Sequence, residues 1–271
     1  MPKKYYEYRG VSNAVYAEVL SDTAAGITFG TVKDFTGVSE IGKTTESANE
    51  PHYYDNLPVI VIDSVGNDEL SINASGIPFE VLADINGQYY DDTTGMMVEQ
   101  EGSPKYFAFG YITQKTDGTE VLVWRLKGKF SVPGLTSATK DDGTDANGQE
   151  ITYTGISTTY AFTKNSGPAR AVNIDTSVNE DISPEAFFAS VQTPDTVAAA
   201  GTTYTLKFSV GSGTAIADME YPAGSMVTLP TPEYTSHTFL GWYKDAGFTT
   251  GPITKIAMTA DNITVYAKWS A

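Results

Sequence analysis

The chain is expected to be mainly β, of the α+β kind, and three observations carry that expectation. Residues 69–75 alternate, with Leu70, Ile72 and Ala74 on one side and Glu69, Ser71, Asn73 and Ser75 on the other, the period-two signature of a half-buried strand. Residues 105–115 and 120–130 are rich in Tyr, Phe, Ile, Val and Trp and flank Asp117-Gly118, the strongest short-range hairpin signal. Stretches at helical spacing are few and short. Frequent Tyr (17) and Gly (25) likewise favour strands and turns over long helices.

Taken in order, residues 11–20 read as a first strand, with Val15, Ala17 and Val19 on one face. A turn over 21–26 leads to a second alternating run over 27–33. Between 36 and 58 the apolar pattern disappears. A polar stretch of that length exceeds the ~12–15 residues that an unstructured loop spans without a functional reason. The apolar run Val59-Ile60-Val61-Ile62 and the alternating strand follow. Pro78 then opens a short helix in which Phe79, Leu82 and Ala83 recur at helical spacing, and Asn86-Gly87 stops it. After the hairpin, 139–148 reads as a polar loop and 151–164 as a long Thr- and Tyr-rich strand. Ser183-Pro184-Glu185 has the order of an N-cap and a first-turn proline, with Phe187, Phe188 and Val191 to dock a second short helix. Residues 193–201, TPDTVAAAG, are weakly patterned and read as a linker between domains 1–192 and 202–271. The second domain holds strands over 203–210, 225–229, 238–243 and 263–269.

Composition bounds the function. At 271 residues the chain has room for two domains. Apolar content of 41% with 18% charged residues is that of a folded chain rather than a disordered one. The absence of cysteine excludes a disulfide framework, a thiolate metal site and a thiol nucleophile. No run of about 18 apolar residues occurs, so no membrane span is expected. The segment MPKKYYEYRG lacks an apolar stretch of signal-peptide length, so export by that route is not expected. A net charge of −16 argues against affinity for nucleic acid, which needs clustered Lys and Arg. The charge is uneven: residues 1–195 hold 13 Lys and Arg against 28 Asp and Glu, whereas 196–271 hold 4 against 5. That asymmetry supports a domain boundary.

Motifs for chemistry are weak. Gly37-x4-Gly42-Lys43-Thr44 matches the phosphate-loop pattern, with Val59–Asp63 in the place of a metal-binding strand. That chemistry needs a helix directly after the loop, and TESANEPHYYDNLP has two prolines and no apolar helical stripe. The acidic segment from Asp141 to Gly148 has calcium-loop spacing, but Ala146 stands where the turn glycine belongs. His52 and His237, the two histidines, lie in no triad-like arrangement. Neither an enzyme, a cofactor nor a bound metal is expected.

Two resemblances extend this reading. The order Tyr54-Asp55-Asn56, then Glu69-x-Ser71-Ile72, then the short Pro-led helix resembles the major tail protein of long-tailed phages. Ala108-Phe109-Gly110, Gly128-Lys129-Phe130 and Pro133 continue the likeness, which covers roughly 5–192. It implies a tail-tube β-sandwich or barrel with a flanking short helix, a structural virion protein that self-assembles into stacked hexameric rings. DNA is ejected through such a tube, and its partners are further copies, the tape measure, the terminator and the distal tail protein. An acidic lumen would repel the phosphate backbone over a Debye length of ~8 Å. The resemblance makes the loop 36–58 the inter-ring contact, with Thr36, Gly37, Lys43, Glu46, Glu50, Tyr53, Tyr54, Asp55 and Asn56 as its residues. The virion tail, assembled in the bacterial host cytoplasm, is then the expected location.

The C-terminal stretch resembles the internalin-type B repeat of bacterial surface proteins. Gly224, Pro230, Pro232, the run Phe239-Leu240-Gly241-Trp242-Tyr243 and the ending Val265-Tyr266-Ala267-Lys268-Trp269 carry that likeness. It implies a small β-grasp-like module that decorates the tail exterior and contacts host cell-surface glycans. Phe239, Trp242, Tyr243, Tyr266 and Trp269 are its expected core. Each buried Trp would contribute about 4–6 kcal/mol before entropy. The competing expectation is a bacterial cell-surface adhesin that carries the same repeat.

Overall fold

The computed structural model describes residues 5–103, 105–134, 148–259 and 261–270. It divides into two compact units, Met1–Asn173 and Ile174–Ala271. The acidic segment 141–147, with its calcium-loop spacing, lies outside the described residues.

The first unit is built on strands β1 (Tyr8–Thr23), β2 (Gly26–Phe29), β3 (Lys33–Asp34), β4 (Val38–Tyr54) and β5 (Leu57–Ala74). After them come helix α1 (Phe79–Asn86), the hairpin β6 (Tyr89–Asp91) and β7 (Met96–Val98), and β8 (Phe107–Lys115), β9 (Glu120–Phe130), β10 (Gln149–Gly155) and β11 (Ala171–Asp175). Nine of these strands form one sheet in the order β2-β1-β8-β9-β10-β5-β4, with β11 on β9 and β3 on β1. The mainly β expectation holds. The sheet is open, and no barrel closes among the described residues.

Period-two patterning explains the core. Leu70, Ile72 and Ala74 are buried with Tyr16, Phe35, Phe107, Phe109, Phe130 and Tyr153. Phe130 is the hub: it stacks on Phe35 at 5.4 Å and meets Phe109 and Tyr153 edge-on at 5.5 and 5.0 Å. Each such pair adds about 0.5–1.5 kcal/mol beyond area burial. Burial raises the Tyr153 phenol above its ordinary pKa, and its hydroxyl donates to the Phe107 carbonyl at 2.8 Å. Strand β9 is covered on both faces, since Leu122, Trp124 and Leu126 are buried as well as Val121 and Val123.

Helix α1 lies where Pro78 and Asn86-Gly87 placed it, and Gly87 ends it at φ 66°, the left-handed conformation open to glycine. Its buried face is Val81, Leu82, Ala83 and Ile85. Phe79, expected on that face, is instead 55% exposed, because it sits at the first turn before the stripe begins. Lys33 and the Tyr16 hydroxyl both reach Asp84, at 2.6 and 3.0 Å, and bind the helix to the sheet. The strand expected over 151–164 ends at Gly155, beyond which the chain turns back over itself.

The second unit begins with α2 (Pro184–Phe187), where the Ser183 hydroxyl accepts from Ala186 N as its N-cap. Strands β12 (Thr203–Ser209), β13 (Met219–Pro222), β14 (Met226–Thr228), β15 (Phe239–Tyr243), β16 (Lys255–Ala257) and β17 (Ile263–Trp269) follow. The sheet order is β13-β12-β17-β15, with β12 and β17 parallel at its centre, and β14 pairs β16 beside it. That arrangement fits the β-grasp-like expectation. The stretch 193–201, expected as a linker, belongs to this unit. Thr193 is buried, and Thr193 N donates to Thr196 Oγ1 at 2.8 Å to close a turn. Local turn chemistry, rather than large apolar side chains, holds it.

Candidate assembly site and the C-terminal module

The stretch 36–58 is not a loop. Residues 38–54 are strand β4, and β4 pairs antiparallel with β5 along nearly its whole length, from Val38 opposite Ala74 to Tyr54 opposite Leu57. The proximal half is embedded, because residues 68–74 of β5 also pair with β10. In the described ladders, residues 57–65 pair with β4 alone. The distal half is therefore a two-stranded arm, about 25–30 Å long at ~3.4 Å per residue.

The tip is a two-residue turn. Asp55 and Asn56 have φ of 50° and 62°, the left-handed pair of a type I′ hairpin, and Asp and Asn tolerate that conformation better than other side-chain-bearing residues. Three apolar side chains stand in solvent there: Tyr54 is 57% exposed, Leu57 65% and Val59 63%. Pro51 fits because β4 is an edge strand, which needs no N–H at that position. Where Glu46 bulges out of register, Gly66 faces it. A Cβ on Gly66 would fall 2.8 Å from Glu46 Cβ.

The base of the arm is pinned by charge. Asp68, whose side chain is 5% exposed, receives Arg125 Nη1 at 3.2 Å and the Thr45 hydroxyl at 2.7 Å. Lys43 and Arg170 approach Oδ1, the oxygen that accepts from Thr45, at 3.6 Å each, while Arg125 holds Oδ2. Arg125 Nη2 also donates to the Tyr111 hydroxyl at 3.3 Å. One buried carboxylate thus ties β4, β5 and β9 together.

The residues expected to form one contact loop are accordingly spread out. Thr36 and Gly37 are bonded to Ser75 at the root, and Lys43 belongs to the Asp68 cluster. Glu46 marks the bulge, and Glu50 and Tyr53 sit opposite Ile62 and Pro58 along the arm. Only Tyr54, Asp55 and Asn56 of that set form the tip, and Leu57 and Val59 are the tip residues that loop reasoning missed. The phosphate-loop match falls on this arm as well. Gly42, Lys43 and Thr44 are extended and face Ser71, Leu70 and Glu69 across an antiparallel ladder, so no turn into a helix N-terminus exists there.

In the second unit Trp242 is the centre of the core, 1% exposed, with Nε1 donating to the Pro230 carbonyl at 2.6 Å. Tyr243 is buried against Phe248. Phe239 and Trp269 are only half-buried on the rim of that core, and Tyr266 is half-buried opposite Tyr243. The core expectation for Trp269 is corrected on that point: as the end of β17, it has core on one side and open space on the other.

Residues 204–268 match the Listeria-Bacteroides repeat domain. This match supports a bacterial surface-repeat module over the second unit's strands. Two proteins of Evansella cellulosilytica share the repeat. One, provisionally named a membrane protein, is 37% identical over 68 residues, 25% of this chain and 10% of its own length. The other, provisionally named a Gly-rich membrane protein, is 36% identical over 67 residues, 24% of this chain and 8% of its own length. The likeness thus spans about a tenth of each relative. Among the described residues no helix is long and apolar enough to cross a membrane, and no group of three or more His, Cys, Asp or Glu is placed to hold a metal.

Proposed function

We propose that the chain is a self-assembling structural subunit of a phage tail tube, with the repeat as a surface decoration. The observation that supports this is the arm. A two-stranded hairpin is marginal in water by itself, yet this one extends beyond the sheet with Tyr54, Leu57 and Val59 exposed at its end. An arm of that kind is stabilised when another copy covers its tip or pairs with its edge. Hexameric rings stacked by these arms are the proposed assembly. The tape measure, terminator and distal tail proteins are its proposed partners, and DNA passes through the lumen without specific binding. The reading makes the chain a non-enzymatic virion component, assembled in the host cytoplasm.

Negative-stain microscopy of concentrated protein is the test. Rings or hollow tubes of uniform width are expected. Monodisperse monomers that persist at high concentration, even beside a preformed tail-tip complex, would remove the proposal.

A second reading, a bacterial cell-surface binding protein, is favoured by the repeat match and by the names of the two relatives. It expects monomers that adhere to bacterial cells, and no tubes.

A further inference from the structure

The second unit carries an open groove of about 370 Å³, lined among others by Thr214, Glu233, Tyr234, His237, Phe239 and Trp269. Its four rings are half-buried and held in fixed positions. Tyr234 and His237 lie face to face, 3.9 Å apart and 5° from parallel. Trp269 meets Tyr234 and Phe239 edge-on, each at 5.4 Å. The indole N–H is already used, donating to the Val210 carbonyl at 3.0 Å, so its remaining surface is apolar. Backbone packs against that ring: a Cβ on Gly213 would fall 2.7 Å from Trp269 Cζ2. The connecting turn is closed by His237 N donating to the Tyr234 carbonyl, with Ser236 left-handed at φ 64°. The platform is therefore formed before any ligand arrives, which lowers the ordering cost of binding.

The polar groups at this groove are also selective. Glu233 supplies an exposed carboxylate, and Thr214 and Thr235 supply hydroxyls. None of the lining residues is Lys or Arg. Fixed aromatic faces beside a carboxylate and hydroxyls, with no cation, suit a ligand that is apolar on its face, rich in hydroxyl donors on its edge, and uncharged. Pyranose rings in β1,4 linkage have that shape, since their axial C–H bonds form an apolar face and their equatorial hydroxyls form a polar rim. We propose that this groove binds a neutral β-linked saccharide chain, a sugar face laid on the outer face of the stacked Tyr234–His237 pair, with Trp269 as the upright wall beside it and a hydroxyl donated to Glu233. The second unit alone carries this inference, so failure of tube formation leaves it standing.

The full-length protein should be titrated with the tetramers of β1,4-linked N-acetylglucosamine and β1,4-linked glucose, and with heparin, following tryptophan fluorescence and calorimetry. At least one neutral tetramer is expected to bind, and heparin is not. E233Q and H237A, both substitutions at solvent-accessible side chains, should each weaken binding about tenfold or more with an unchanged melting temperature. No binding of either neutral tetramer at millimolar concentration overturns the proposal. So does preference for heparin, or unchanged affinity in E233Q, the variant least able to disturb the fold.

Discussion

Asp68 shows how one side chain can fix an element that the hydrophobic core touches only near its start, through Val38 and Ile41. Its carboxylate is surrounded by Arg125, Lys43, Arg170 and Thr45, and Arg125 is itself only 9% exposed at the side chain. Removing one partner of a buried pair leaves the other charged and uncompensated, at about 3–5 kcal/mol. D68A should therefore lower the urea midpoint of the first unit by that equivalent. Asp22 makes a separate prediction, about pH. Burial alone would raise its pKa, but Lys127 at 2.6 Å and the backbone N–H groups of Thr159 and Tyr160 outweigh that and hold it below the usual 3.8. A depressed folded-state pKa means stabilisation that is complete above about pH 4 and is lost as pH falls through the folded value. D22N should be less stable than the parent at pH 7, and the gap between the two should narrow in thermal melts run toward pH 2. A constant gap would contradict the assignment. Neither residue was singled out in the sequence, because nothing in a linear pattern marks which acid will meet a distant cation.

At the scale of elements, legibility followed burial. The β8–β9 hairpin was readable because Phe107, Phe109, Val121 and Val123 alternate into a core and Asp117-Gly118 turns the chain. Helix α1 was readable from its proline, its apolar stripe and its glycine. Strand β4 was invisible for the converse reason. Along its length most described side chains are exposed, so hydrophobicity has no period, although the backbone ladder with β5 is regular. The Asp55-Asn56 turn was a signal in hindsight, since those two types favour a left-handed pair. Because Leu57 and Val59 are exposed in the single chain, replacing both with Asp should change stability by less than about 1 kcal/mol. The same double variant should give no tubes in negative stain. Tubes of normal width from that variant would separate the arm from assembly.

For the whole molecule, the decisive question is where the second unit begins. The contact boundary follows Asn173, some twenty residues before the expected linker. Ile182 is buried, and Gly224 lacks the Cβ that would fall 2.7 Å from Ile182 Cγ1. Ser183 N donates to the Gly224 carbonyl at 2.9 Å, and Asp181 accepts from Gly201 N at 2.6 Å. A fragment of residues 202–271 forfeits these contacts. It should melt about 10 °C or more below the fragment 174–271, given about 2 kcal/mol for one buried Ile. Equal melting temperatures would return the boundary to the linker. The sequence by itself determined the mainly β class, the best-patterned hairpin, both short helices and the repeat, because each rests on local chemistry: alternation, turn residues, caps and paired aromatic motifs. Only the tertiary structure decided that the polar stretch 38–54 is a strand, that Asp68 anchors it, that Trp269 lines a groove, and that 193–201 is folded in. The first three depend on what a residue meets far along the chain, and 193–201 on hydroxyl bonds that leave no apolar pattern. A strand whose described side chains are mostly exposed takes its shape from its partner's hydrogen bonds rather than from its own side chains.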